Sequence, residues 1–138
     1  MADKTRVEGL KRFRAKVLGR LPKAARDQMR QANEKNADEF MGLVRRIIPK
    51  GDPEDGRLVD TLRKEDDRLS EVAVRVTIGG QETGQKHPMH LEGGHRAADG
   101  THVPGKPFWN PSKTVTTKRA YARNRRARNK VVKEMAQK

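Results

Sequence analysis

The stretch EVAVRVTI, residues 71–78, decides the fold class of this sequence. Valine or isoleucine occupies every second position, and Glu71, Ala73, Arg75 and Thr77 lie between them. This alternation predicts a β-strand with one buried face and one wet face. Such a strand is typical of an antiparallel sheet that helices cover on one side, so the sequence predicts an α+β fold.

A long helix is predicted before this strand, from Pro22 through Ile48. Proline suits the first helical turn, where no N–H is needed, and Pro49 ends the helix. A polar loop over residues 50–56 and a short helical turn at residues 58–62 lead to the strand. The long helix carries one stripe at three- and four-residue spacing, formed by Ala25, Met29, Ala32, Asn36, Phe40, Val44 and Ile47.

Residues on the C-terminal side of the strand predict a hairpin. Gly79-Gly80 ends the strand, and residues 81–86 are interpreted as a loop. Residues 87–92 are predicted to form the return strand, with Met89 and Leu91 as its apolar positions. The predicted sheet is therefore small and antiparallel, packed by the long helix.

Residues 93–112 are rich in glycine and proline and are predicted to be irregular. They contain the element Pro107-Phe108-Trp109, a stiff backbone that presents two large apolar side chains. Aromatic side chains dominate the energetics of cores and interfaces. These three residues are therefore a candidate subunit interface, at the sheet edge or under the last helix. Packing within a single domain is the alternative that the sequence leaves open.

Two basic helices are predicted to flank the core. Residues 5–21 carry an apolar stripe that includes Leu10, Phe13 and Val17, and residues 113–136 carry a weaker one. The predicted organisation is a single domain over residues 1–138. It consists of a basic N-terminal helix (1–21), an α+β core with a Gly/Pro-rich loop (22–112) and a basic C-terminal helix (113–138).

Composition limits what this chain can bury. Leucine, isoleucine, valine and phenylalanine make up 25 of 138 residues, about 18%, and the formal net charge is +14. Chains below about 20% in these residues with high net charge often fail to fold alone. We therefore expect the fold to be completed by partners. No apolar run exceeds three residues, which excludes a membrane span and a signal-peptide core from the sequence.

The positive charge is concentrated at the two ends. Residues 1–30 carry net +7 and residues 113–138 net +9, whereas residues 31–70 carry −2 and residues 71–112 are neutral. Like charges repel, so both ends need a counter-charge. Nucleic-acid phosphate and the acidic face of another protein both fit. The chain's own acidic groups, at residues 52–55 and 65–67, are candidates to receive a basic end of a neighbouring copy.

The densest basic run lies in the predicted C-terminal helix. Arginine-rich helices bind the backbone of RNA or DNA by releasing condensed counterions. Docking on an acidic neighbouring subunit is the alternative. No base-reading signature accompanies the run, in which Tyr121 is the lone aromatic. Its basic residues form the candidate partner-contact face: Lys118, Arg119, Arg123, Arg125, Arg126, Arg128 and Lys130.

Other chemistry has little support. His87, His90, His95 and His102 lie close in sequence, but their spacings match no helical ligand pair, so we predict no metal site. The chain has no cysteine, which excludes disulfides, thiolate zinc sites and a cysteine nucleophile, and fits synthesis in a cytoplasm. No nucleophile elbow or phosphate-binding loop is present in the sequence, so we predict a non-enzymatic protein without a cofactor.

Two segments carry a resemblance to a known family. Leu91-Glu92-Gly93-Gly94-His95, followed by the stretch from Asp99 to Pro111 (DGTHVPGKPFWNP), resembles the tail-component proteins of long-tailed phages of the HK-type lambdoid group. That family shows a Glu-aromatic-Gly element, a variable loop, a Pro-x-Arg-Pro-Phe element and a terminal helix. Gly93 stands where the family has an aromatic residue, and Lys106 replaces the arginine.

The resemblance implies a virion structural protein of the head–tail junction, a neck or tail-completion protein made in the host cytoplasm. It implies no catalytic residues. It further implies assembly of copies into a ring that joins the portal-side connector to the tail tube, and a hexamer is expected because phage tails are six-fold symmetric. A basic nucleic-acid-binding accessory protein is the alternative that the C-terminal run supports.

Overall fold

The computed structural model describes residues 23–51, 57–79 and 88–137. The predicted α+β class is confirmed. The first helix predicted over residues 5–21 and the hairpin loop predicted at residues 81–86 lie outside the described residues. Residues 52–56 of the polar loop predicted over 50–56 also lie outside them. The elements in chain order are α1 (Lys23–Ile47), a 3-10 helix (Leu58–Thr61), β1 (Arg63–Asp66), β2 (Val74–Thr77), α2 (Pro88–Gly93), β3 (His95–Arg96), β4 (His102–Val103) and α3 (Trp109–Ala136).

The two long helices, α1 and α3, lie side by side and antiparallel. Gln28 near the start of α1 bonds Glu134 near the end of α3, at 3.1 Å between the amide nitrogen and one carboxylate oxygen. Further along, the Asn36 and Asn124 side chains bond at 2.9 Å. The faces that meet are built from small side chains, which let the two backbones approach. Buried residues along this pair include Ala25, Ala32, Ser112, Thr116 and Val131.

A two-stranded antiparallel sheet covers another side of α1. Only Val74–Thr77 of the predicted strand forms a ladder, and its partner is the upstream strand β1. β1 has no apolar alternation, since all four of its residues are charged. Its pairing includes Glu65 opposite Arg75, an opposite-charge pair of the kind that favours a register.

The prediction of a return strand at residues 87–92 is wrong. The structure forms the short helix α2 from Pro88 to Gly93 instead. Proline at the first position and glycine at the last position mark the two ends of a helix. Met89 and Leu91 are two residues apart, which fits the two-residue period of a strand. So short a run cannot distinguish that period from the 3.6-residue period of a helix.

The apolar core lies where the C-terminal end of α1 meets the start of α3. The short helical turn predicted at residues 58–62 is confirmed as the 3-10 helix. Leu58 in this helix and Leu62 directly after it belong to the core. The Phe40 and Trp109 rings pack edge to face, with centroids 4.7 Å apart. The buried cluster consists of Met41, Val44, Ile48, Leu58, Leu62 and Phe108.

α3 begins at Trp109, four residues before the predicted start at residue 113, and continues to Ala136. The aromatic pair therefore lies at a helix start and not in an irregular loop. None of the described helices is long and apolar enough to span a bilayer.

Candidate functional site

Residues 88–110 fold back on themselves to set the start of α3, and we call this segment the clasp. Glu92, in α2, accepts three backbone hydrogen bonds with its carboxylate. The N–H groups of Phe108 and Trp109 donate to Oε2 at 2.9 and 2.8 Å, and that of Asn110 donates to Oε1 at 2.8 Å. The first N–H groups of a helix have no partner within it, so Glu92 caps α3 from a distant part of the chain.

The charge of Glu92 suits this position. Partial burial would raise its pKa, but the backbone N–H groups of Phe108, Trp109 and Asn110 outweigh that effect and lower the pKa below its ordinary value. The positive end of the α3 dipole favours the same ionised form. A carboxylate is therefore held where the core residue Phe108 enters the helix.

The clasp closes through a very tight backbone crossing. The Lys106 N–H donates to the Leu91 carbonyl at 2.6 Å. Gly94 has φ of +77°, and a Cβ there would lie 2.7 Å from the Val103 carbonyl oxygen. A Cβ on Gly105 would lie 2.7 Å from the Gly94 nitrogen. Only glycine lets the two backbone segments pass at this separation.

The β3–β4 hairpin projects from this crossing. Its turn closes with the Gly100 N–H donating to the Ala97 carbonyl at 2.9 Å, and Gly100 has φ of +86°. The side chain of Asp99 accepts from the Thr101 N–H at 2.9 Å. A turn followed by a left-handed glycine is a common three-residue hairpin connection.

The three residues of the candidate interface element, Pro107-Phe108-Trp109, differ in how far their side chains are exposed. Phe108 is 1% exposed and fills the core of its own chain. Trp109 is half-buried against Phe40, and Pro107 is exposed. Intradomain packing thus accounts for Phe108, whereas a subunit contact through Pro107 and the open side of Trp109 stays a prediction.

The seven basic residues predicted as a partner-contact face also divide into two groups. Arg119 and Arg123 turn toward α1 and bond the Glu39 carboxylate at 2.7 and 2.9 Å. Hydrogen bonds from Arg119 and then Arg123 lower the pKa of Glu39 below its ordinary value. These two arginines hold the helix pair together.

The other five basic residues are not bonded to an acidic side chain of the described fold. Arg126 donates only to the Ala122 carbonyl of its own helix, at 3.3 Å. Lys118, Arg125 and Arg128 are exposed and follow one another at seven- and three-residue steps, which places them on one face of α3. Tyr121 lies on the same face and is 71% exposed. We call Lys118, Tyr121, Arg125 and Arg128 the outer stripe; Lys130 is exposed beside it.

The acidic side chains, in contrast, are largely used inside the fold. Asp66 bonds Arg30, Asp67 bonds Arg75 at 3.4 Å and Glu71 bonds Arg26 at 3.4 Å. The acidic group at residues 65–67, considered from sequence as a receiver for a neighbour's basic end, is therefore bonded within its own chain. The other acidic residues with a bonding partner in the described fold are Glu34, Asp38, Glu39, Glu65, Glu92, Asp99 and Glu134.

The three described histidines lie within the clasp. The His90 and His95 rings stack, with centroids 4.9 Å apart and an interplanar angle of 18°. His102 pairs with Arg96 across the hairpin, and His87 lies outside the described residues. Within residues 23–51, 57–79 and 88–137, no three histidine, aspartate or glutamate side chains are grouped to hold a metal ion.

Comparison of the chain with models of protein families, with curated proteins and with solved structures finds no match. The geometry of the clasp and of the outer stripe is therefore the basis for a functional proposal.

Sequence reasoning missed the role of Glu92. The residue was part of the resemblance, but nothing in its local sequence connects it to N–H groups that lie 16 to 18 positions later. The one available signal for this role was that α3 lacks a capping residue of its own. Phe108, at the cap position, has no side-chain acceptor for the first N–H groups of the helix.

Proposed function

We propose that this protein is a non-enzymatic structural subunit of the head–tail junction of a long-tailed phage, where copies assemble into a ring between the portal-side connector and the tail tube. The observation that carries the proposal is the agreement between the resemblance and the clasp. Glu92, Gly94, Gly105 and Phe108 belong to the resembling segments, and each has a structural task there.

This distribution of tasks supports an architectural role. The resembling residues cap a helix, permit a tight crossing or fill the core. A motif of this kind preserves a shape. A shape that must fit neighbouring rings is what a junction protein requires.

The small core supports assembly with other subunits. The buried apolar cluster lies at one end of the helix pair, while Val115 and Val132 remain 53% and 58% exposed on α3. Repeated contacts around a ring would bury such side chains and stabilise the protomer by mass action.

The first experiment measures the mass of the full chain in solution by light scattering over a range of concentrations, with imaging of the particles by negative stain. We expect closed rings, with a hexamer as the main species. A monomer at every concentration, with no rings under the microscope, would contradict ring assembly.

A second experiment places the protein in the virion. Antibody labelling of purified phage that encodes this chain is expected to mark the neck, between head and tail. Pro107→Ala tests the proposed interface, because Pro107 is exposed and its loss leaves Phe108 in place. We expect weaker ring assembly at an unchanged melting temperature; Lys106→Ala, at the neighbouring exposed residue, is the matched control.

A further inference from the structure

We infer that the outer stripe of α3 binds the phosphate backbone of duplex DNA, independently of base sequence. This inference goes beyond the proposed structural role and does not require it. It rests on the juxtaposition of Lys118, Arg125 and Arg128 on one exposed face with Tyr121 between them.

The first step in the argument is that the fold leaves these charges uncompensated. Glu134 is the only acidic residue of α3, and it bonds Gln28 of α1. Most acidic side chains of the described residues already have partners, as the bonds of Asp66, Asp67 and Glu71 illustrate. A partner of the stripe must therefore bring its own negative charge.

The second step distinguishes nucleic acid from an acidic protein. Apart from arginine, charged residues are depleted at the centres of protein–protein interfaces, and lysine is depleted across them. The middle of the outer stripe is itself charged, with Lys118 and Arg125 on either side of Tyr121. Protein–DNA interfaces are much more positive and more polar, which matches this face.

The third step is one of dimensions. At a rise of about 1.5 Å per residue, the ten steps from Lys118 to Arg128 span about 15 Å of helix. Duplex DNA carries one negative charge per about 1.7 Å of its axis. A duplex lying along the helix therefore presents several phosphates within reach of the three cations.

The fourth step explains why binding should not depend on sequence. Bases are read by bidentate contacts from side chains such as arginine, asparagine and glutamine in a groove. The outer stripe carries no asparagine or glutamine, and Asn124 beside it is held by Asn36. Its two arginines lie with Lys118 on one exposed face whose remaining member is Tyr121. The stripe offers mainly charge, which positions a protein on the backbone without reading sequence.

The experiment measures binding of the full chain to a fluorescently labelled duplex of arbitrary sequence, by anisotropy at salt concentrations from about 50 to 200 mM. We expect the logarithm of the association constant to fall linearly with that of salt, with a slope of about −3 to −5. Lys118→Ala/Arg125→Ala/Arg128→Ala should make the slope shallower by about 3 and weaken binding about tenfold or more at low salt. Alanine preserves the helix.

The matched control removes three exposed cations elsewhere, as Arg45→Ala/Arg46→Ala/Lys50→Ala. It has the same net charge as the stripe variant and should keep most of the slope. Equal losses in the two variants would overturn the stripe as the site, and no duplex binding at low salt would overturn the inference altogether. Tighter binding to poly-glutamate than to the duplex would also overturn it, in favour of an acidic protein. Solution mass distinguishes this inference from the proposed function, because the stripe variant should still assemble like the unmodified chain.

Discussion

The two ends of the α1–α3 pair are held together by different interactions. At one end, Val44 of α1 and Ile48, directly after the helix, pack with Phe108 in a buried apolar cluster. At the other end, Gln28 bonds Glu134, and Asn36 in the middle bonds Asn124, between small buried residues such as Ala25. The comparison shows how a chain poor in apolar residues distributes its few large ones.

This difference has an energetic consequence. Truncating a large buried aromatic side chain costs about 3–5 kcal/mol, whereas a typical hydrogen bond contributes about 1 kcal/mol net. The stability of the helix pair is therefore concentrated near Phe108. The end near Gln28 is held by polar bonds between small side chains, so it is the end from which local opening is expected.

Phe108→Ala should produce the largest loss. The side chain is 1% exposed and touches both helices of the core, so its removal should lower the free energy of unfolding by about 3–5 kcal/mol. Chemical denaturation measures this loss. Tyr121→Ala, at the 71% exposed aromatic of α3, is the control and should change stability by no more than about 0.5 kcal/mol. Equal losses for the two variants would contradict the apolar end as the stable one.

Gly94→Ala should come next. Its positive φ and a Cβ within 2.7 Å of the Val103 carbonyl oxygen force the tight crossing apart, at a cost of about 2–3 kcal/mol. Gly93→Ala is the matched control, because a Cβ on this neighbouring glycine meets nothing within 4 Å. Thermal melting of both variants checks the prediction. An unchanged melting temperature for Gly94→Ala would show that the clasp does not stabilise the core.

Glu92→Gln should cost about 2 kcal/mol at neutral pH, because the charged cap on three N–H groups is lost. The folded pKa of Glu92 lies below its ordinary value of 4.5, so its stabilising contribution is complete above that value and is lost as pH falls through the folded pKa. The stabilities of the variant and the unmodified protein should therefore converge in acid. Denaturation at a series of pH values measures this, and a constant difference down to low pH would contradict it.

Glu39→Gln should have the smallest effect of this series, about 1 kcal/mol, because it weakens the bonds from Arg119 and Arg123 at the polar part of the helix pair. Its pKa is also lowered, so this contribution too is lost as pH falls through the folded pKa. Asp38→Asn is the control, since the exposed Asp38–Lys64 pair should contribute less than about 0.5 kcal/mol. Denaturation at low and high salt measures both, and a loss at Asp38 as large as that at Glu39 would contradict the assignment.

Long periodic segments were predictable from sequence, and paired or folded-back segments were not. The long helix predicted through Ile48 is confirmed as α1 over Lys23–Ile47, because its stripe runs over many turns, and its predicted start at Pro22 lies outside the described residues. β1 escaped prediction because its four residues are all charged; it is a strand because β2 offers it a ladder and Arg75 an opposite charge. Such an outer strand needs no apolar face.

The sequence predicts which basic residues α3 carries, but not which of them bond within the fold and which stay exposed. The basic residues of α3 were identified from sequence as one face. Their separation into a pair bonded to Glu39 and an exposed stripe depends on the position of α1, which no local pattern encodes. The early start of α3 at Trp109 was missed for the same reason, since its capping carboxylate comes from Glu92.

The hairpin beyond the tight crossing has a consequence for how the chain tolerates change. The Lys106–Leu91 bond and the close contacts at Gly94 and Gly105 fix the base of the hairpin, and residues 97–101 at its tip lie beyond that crossing. We therefore expect the hairpin tip to accept insertions, deletions or a foreign peptide while the rest of the domain keeps its shape.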